Sequence, residues 1–150
     1  MRIVHNKENC FGCKACVAAC KDVNNMPPSR RLLQIETVEQ LVGKQQAQKA
    51  SGLLENSDLL KVLFQADTCF QCALPKCVQV CPRGALSKGE DGVVRVIAER
   101  CTGCGKCTGS CPSQAIILVN GKATKCELCS ARKKGPACIE ACPNGCLSLQ

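Results

Sequence analysis

Apolar positions along this chain come in short runs broken by turn residues, the pattern of short strands joined by tight connections. ALSK (85–88), the polar GEDG (89–92) and VVRVI (93–97) predict one β-hairpin. AIILV (115–119), Asn120-Gly121 and KATK (122–125) predict a second, since Asn-Gly is the strongest two-residue hairpin signal. RIVH at the start is strand-like, and RLLQIETV (31–38) and LLKVLFQA (59–66) are two further apolar runs. Between those two, GKQQAQKASG (43–52) reads as loop or short helix. No run approaches the ~20 apolar residues needed to span a bilayer, so no direct membrane insertion is expected.

The runs repeat. CPRGAL (81–86), CPSQAI (111–116) and CPNGCL (142–147) superimpose position for position, each a short loop that leads into an apolar strand. The residue common to all of them is cysteine, and the chain has 17 in 150 residues against three Phe and no Trp or Tyr. A core this poor in large side chains needs covalent or metal staples. Residues 1–20 show no apolar signal core, no twin arginine and no cleavage site of small residues, so a reducing, cytoplasmic setting is expected, and there such spacings point to metal and not to disulfides. The odd count fits a closed disulfide framework badly as well.

Sixteen of the cysteines fall into four sets: Cys10, Cys13, Cys16, Cys20; Cys69, Cys72, Cys77, Cys81; Cys101, Cys104, Cys107, Cys111; and Cys126, Cys129, Cys138, Cys142. The first and third have the spacing C-x2-C-x2-C-x3-C, and the third runs on into Pro112, which is the bacterial ferredoxin pattern for 4Fe-4S clusters. The second widens its middle gap to ALPK and the fourth to SARKKGPA. Three cysteines in one loop can wrap three corners of a cuboidal cluster. The last cysteine, taken to open a short helix, cannot turn back and ligates a neighbouring cluster.

Only residues 82–100 separate sets two and three, so these form a local pair and leave sets one and four to each other. The expected cofactors are four 4Fe-4S clusters: Cys10, Cys13, Cys16 with Cys142; Cys126, Cys129, Cys138 with Cys20; Cys69, Cys72, Cys77 with Cys111; and Cys101, Cys104, Cys107 with Cys81. Three sets close with Cys-Pro, at Pro82, Pro112 and Pro143, whereas Cys20 is followed by Lys21; the difference is expected to be topological, because there the chain enters a long excursion in place of a short return loop. Four zinc sites would also use sixteen thiolates, but structural zinc takes two well-separated pairs, and the three-in-one-loop spacing argues against it. The formal charge of +8 invites nucleic acid. An oxidised 4Fe-4S core on four thiolates carries about −2, so four of them offset the excess, and no aromatic interleaving offers base stacking.

With CKACVAACKDVNN (13–25), a later Arg30-Arg31 and KCELCSARKKGPACIEACP (125–143), the chain resembles the four-cluster ferredoxin-like electron-transfer subunits of molybdenum or tungsten oxidoreductases, such as those of dimethyl sulfoxide reductase and formate hydrogenlyase. Similar polyferredoxins serve carbon monoxide dehydrogenases and aldehyde oxidoreductases. The resemblance implies that set one pairs with set four. It also implies that the chain has no catalytic site of its own and relays electrons between a pterin enzyme and a second redox protein in anaerobic metabolism. A freely diffusing ferredoxin, or a partner of a carbon monoxide dehydrogenase or hydrogenase, is the alternative. Two departures stand out: Gln71 occupies the place of a histidine found in many members, and most members are longer at the C-terminus.

The expected architecture is α+β: two interleaved bacterial-ferredoxin-like modules, loop-rich, with short hairpins and short helices. Residues 1–20 plus 120–150 form the outer module, 69–119 the inner, and 21–68 an insertion with hairpin character, either a cover for a cluster or a docking surface. Cys146, the seventeenth cysteine, aligns with Ala85 and Ala115 and reads as a packing residue. The sole histidine, His5, reads as a terminal strand residue. Phe11 and Phe70 each follow the first cysteine of a set and are expected to shield sulfur from water. GCGKCTG (103–109) matches no nucleotide-binding fingerprint. Arg132-Lys133-Lys134 reads as a solvated turn.

Overall fold

The structure is a computed structural model that describes residues 1–37 and 64–150. In chain order these contain β1 (Ile3–His5), α1 (Ala15–Val23), β2 (Gln34–Thr37), β3 (Phe64–Asp67), α2 (Lys76–Gln79), β4 (Leu86–Lys88), β5 (Val94–Val96), α3 (Lys106–Gly109), β6 (Ile116–Val119), β7 (Lys122–Lys125), α4 (Ala137–Glu140) and β8 (Leu147–Leu149). All eight strands pair two by two and antiparallel. The α+β, loop-rich character with short helices and short strand pairs is therefore as expected. Among the described residues no helix is long and apolar enough to cross a membrane.

Both hairpins form where the pattern put them. β4 pairs with β5 from Leu86 opposite Val96 to Lys88 opposite Val94. β6 pairs with β7 and closes with Val119 opposite Lys122. Asn120 (φ 50°) and Gly121 (φ 72°) are both left-handed there, as the two-residue turn that matches strand twist requires. The apolar runs of the insertion pair as well, Gln34 with Asp67 through Thr37 with Phe64. Val38, residues 59–63 of the second run and all of 43–52 lie outside the described residues. At the extremes of the chain, β1 pairs with β8, Ile3 opposite Leu149 and His5 opposite Leu147.

Two small cores follow from this pairing. One gathers Cys16, Cys20, Leu32, Leu33, Ile35, Cys138 and Leu147, joined by Ile3, Phe64 and Ile139, so it draws on both ends of the chain and on the insertion. The other gathers Ala85, Leu86, Val94, Cys101, Cys107, Ile116 and Ala123 from the middle. Leu33 is 2 % exposed, so the described part of the insertion belongs to the core and does more than cover it.

The helices correct one expectation. In every set the helix begins just before the third cysteine, Cys16, Cys77, Cys107 or Cys138, and in three sets it has ended before the fourth. The fourth cysteine thus closes the helical segment and does not open one. Cys81, Cys111 and Cys142 lie just past four-residue helices, where a following proline is compatible with their non-helical state. Cys20 instead sits inside the nine-residue α1, which runs on to Val23. A proline at 21 would remove an intrahelical bond and push Cys20 out of helical geometry. Lys21→Pro is accordingly expected to cost about 3 kcal/mol and to fray α1 from Cys20 onward; loss of helical circular dichroism together with a lowered unfolding midpoint checks it.

Candidate metal centres

Each cysteine set bends through a left-handed residue just before its second cysteine: Gly12 (φ 72°), Gln71 (φ 48°), Gly103 (φ 73°) and Leu128 (φ 55°). This kink turns the loop on itself so that three thiols face a common space. Gly103 has a second reason to lack a side chain, since a Cβ there would strike the backbone carbonyl of Gly121 in the β6–β7 turn. The two tight sets need a further left-handed residue before their helix, Lys14 and Gly105, whereas the widened sets enter theirs through extended Pro75 and Pro136.

Three cavities result. Cys101, Cys104 and Cys107 line one, and Cys81 is its fourth thiol. Cys10, Cys13 and Cys16 line the second with Cys142, and Cys146 and His5 also reach its wall. Cys69, Cys72 and Cys77 line the third with Cys111. The remaining four thiols meet one another beside α1 and α4. Burial first, then the neighbouring Cys126, Cys138 and Cys129, push the Cys20 thiol up to about 12. Burial first, then Cys126 and Cys129, push Cys138 up to about 12 as well. Phe11 and Phe70 flank two of the cavities but are half exposed, so each shields with one face only.

All seventeen thiols are free. Among the described residues no three Cys, His, Asp or Glu side chains stand close enough to hold a single metal ion. A zinc ion needs its thiolates at about 2.3 Å, so thiols that surround a shared space without converging on a point suit a polynuclear core that spans the gap. A buried polar atom at one of these cavities makes the same case. His5 accepts a 3.1 Å hydrogen bond from the Ala66 N–H at Nδ1, while its Nε2 is buried with no partner among the described residues. Burial, then Lys7, hold the imidazole below its ordinary pKa against the opposite pull of Asp67. The residues present fit a 4Fe-4S group.

Residues 9–85 and residues 60–150 each match a 4Fe-4S dicluster domain. The chain belongs to the 4Fe-4S dicluster family. Among curated relatives it is 35% identical to the thiosulfate reductase electron transfer subunit of Salmonella typhi, over 98% of this chain and 73% of that one. It is 35% identical to the B subunit of the anaerobic dimethyl sulfoxide reductase of Haemophilus influenzae, over 92% of this chain and 67% of that one. To the B subunit of the polysulfide reductase of Wolinella succinogenes it is 33% identical, over 98% of this chain and 74% of that one.

In this 4Fe-4S protein the backbone supplies hydrogen bonds to sulfur. Ala85 N–H donates to Cys81 Sγ at 3.2 Å, Cys146 N–H to Cys142 Sγ at 3.2 Å and Ala123 N–H to Cys101 Sγ at 3.3 Å. Burial would raise Cys81 and Cys142, but N–H donors from the turns that follow outweigh it and hold both thiols below the ordinary value. After Cys81 and Cys142 the turn of the Cys-Pro repeat thus aims N–H groups at the sulfur it follows, whereas Cys111 Sγ lies 3.5 Å from the Ser113 hydroxyl.

Lysines hold the carbonyls of the same loops. Lys88 Nζ donates to Cys72 O and Ala73 O at 3.1 and 2.9 Å, and Lys122 Nζ to Cys101 O at 2.5 Å. Lys125, only 3 % exposed, donates to Cys126 O at 2.6 Å and to Val94 O, and it lines the cavity of Cys69, Cys72, Cys77 and Cys111. Its charge opposes the burial that raises the Cys77 thiol. Gln71 is buried, and its Nε2 donates to Cys126 O at 2.8 Å while its Oε1 accepts from Val94 N–H at 2.9 Å. Gln71 and Lys125 together clamp β5 to the loop of set four. No local signal marks this pair, because both act on backbone groups remote in sequence. Gln71→Leu leaves the buried Val94 N–H without its partner and removes one of the two donors to the Cys126 carbonyl, and it is expected to destabilise the holo-protein by about 1–3 kcal/mol, measured by anaerobic denaturant unfolding.

Proposed function

We propose that the chain relays electrons through four 4Fe-4S clusters between a molybdenum or tungsten pterin oxidoreductase and a second redox protein. The observation that carries this is the gathering of thiols: the fourth cysteine of every set stands with three cysteines of another set. Cys81 and Cys111 are exchanged between sets two and three, and Cys20 and Cys142 between sets one and four. On this reading residues 69–119 are an inner two-cluster module, residues 1–20 plus 120–150 an outer one, and 21–68 an insertion that completes the outer core.

Each bound cluster supplies one-electron chemistry, and the chain's own residues do the rest. Four thiolates fix each cluster, backbone N–H groups and lysines offset its negative charge, and the two small cores limit water. Neighbouring sets stand close enough to feel one another's charge: Cys16 acts on Cys138, and Cys69 on Cys126. Cys13 and Cys104 are the exposed thiols, so the sets that contain them are the natural points for electrons to arrive and leave. The relatives named as subunits of dimethyl sulfoxide and thiosulfate reductases support a catalytic oxidoreductase partner.

Anaerobically purified protein is expected to be brown, with about sixteen iron and sixteen acid-labile sulfide per chain, four of each for every cubane. Stoichiometric zinc without sulfide would overturn the reading. In the same preparation Cys20→Ser is expected to alter the paramagnetic spectrum of the cluster on Cys126, Cys129 and Cys138; damage confined to the cluster on Cys10, Cys13 and Cys16 would refute the exchange. Isolated from its own host, the chain is expected to travel with a larger catalytic subunit at low and high salt, as a contact burying more than ~1,000 Å² allows. A lone monomer at both salts would point to a diffusing carrier.

A further inference from the structure

His5 is the sole histidine of the chain and the last residue of β1. Side chains alternate along a strand, so His5 shares with Ile3 the face that packs inward, and Ile3 joins the core around Cys16 and Cys20. The pairing of β1 with β8 sets His5 opposite Leu147, next to Cys146, and on the wall of the cavity that holds Cys10, Cys13, Cys16 and Cys142. Its two nitrogens are not equivalent. Nδ1 accepts the Ala66 N–H, so it carries no proton, and a neutral imidazole must then carry its proton on Nε2. That Nε2 is buried and has no acceptor among the described residues. A buried donor without a partner forfeits its hydration and gains nothing in return, so the position calls for a group in the cavity that accepts from it. The thiolates and sulfides of a cluster there are acceptors of the right sign. The cavities of Cys101, Cys104 and Cys107 and of Cys69, Cys72 and Cys77 have no histidine on their walls.

We propose that His5 donates a hydrogen bond from Nε2 to a sulfur of the cluster held by Cys10, Cys13, Cys16 and Cys142, raising the reduction potential of that cluster relative to the other three. The inference rests on the proposed cluster assignment. A hydrogen bond to sulfur withdraws negative charge and favours the reduced, more negative state. Ala66 in β3 holds the ring in its tautomer, so the insertion reaches the cluster through His5, which hydrogen-bonds the cluster and is not one of its ligands.

Because the chain has one histidine, growth on ¹⁵N-histidine labels this residue alone. In the reduced holo-protein, pulsed electron paramagnetic resonance is expected to detect a ¹⁵N coupling to one cluster. In His5→Phe, which keeps the ring's bulk and removes both nitrogens, one of the four potentials in a redox titration is expected to move negative while the other three and the iron and sulfide contents stay unchanged. If iron and sulfide are present in full but no ¹⁵N coupling is seen, or all four potentials of His5→Phe equal those of the wild type, His5 has no such role. Should His5→Phe fail to fold, the labelled wild-type measurement decides alone. Absence of iron and sulfide in the wild type would instead refute the cluster assignment itself.

Discussion

Three thiols on one short loop can enclose only part of a space wide enough for a polynuclear core, so the remaining side must be brought in from another segment. Most of the fold follows from that constraint. Sets two and three lie near each other along the chain, and a single hairpin, β4–β5, is enough to exchange Cys81 and Cys111 between them. Sets one and four lie at opposite ends, and their exchange requires the termini to meet. The β1–β8 pair joins them, and α1 packs beside α4 to bring Cys20 to Cys138. The longer α1 and the absence of proline after Cys20 belong to the same requirement, because the chain leaves this set along a helix and not through a turn.

Collecting so many ionisable sulfurs in a thin core carries an electrostatic cost. Where burial and mutual repulsion dominate, as at Cys20 and Cys138, the thiols resist ionisation and would release protons on binding metal. Where a turn follows, as at Cys81 and Cys142, N–H donors favour the thiolate. The basic excess of the chain has a local use in this setting: Lys88, Lys122 and Lys125 come from hairpin strands and hold loop carbonyls next to the cavities. Positive charge placed there offsets a bound group of negative charge, from inside the protein at Lys125 and from exposed strand positions at Lys88 and Lys122.

The strands of the insertion contribute more than surface. Leu32, Leu33 and Ile35 supply the aliphatic bulk that a chain without Trp or Tyr lacks elsewhere, and Phe64 lies against Gly12 in the loop of set one. Ala66 fixes the tautomer of His5. The described strands of the insertion, β2 and β3, and the loop of set one thus pack together.

The cysteine sets, both hairpins, the Asn120-Gly121 turn and the α+β character can all be read from sequence, since each depends on residues a few positions apart. Ligand spacing, turn chemistry and strand alternation are local properties and leave local marks. The left-handed positions are half visible: Gly12 and Gly103 declare themselves, while Gln71 and Leu128 adopt the same geometry because the loop demands it, and in Gln71 the side chain is held by remote backbone groups. The placement of the helices is misread from spacing alone, which does not say whether the third or the fourth cysteine belongs to the helical turn. The role of His5 is invisible there, as it depends on Ala66 and on a cavity built from residues 10–16 and 142–147. Spacing by itself marked which cysteines can bind metal and, by leaving sets one and four to each other, which of them should stand together; tertiary structure decided how the chain ends meet and which remote side chains, such as His5, Gln71 and Lys125, serve the sites, because strand pairing and core packing follow no local pattern.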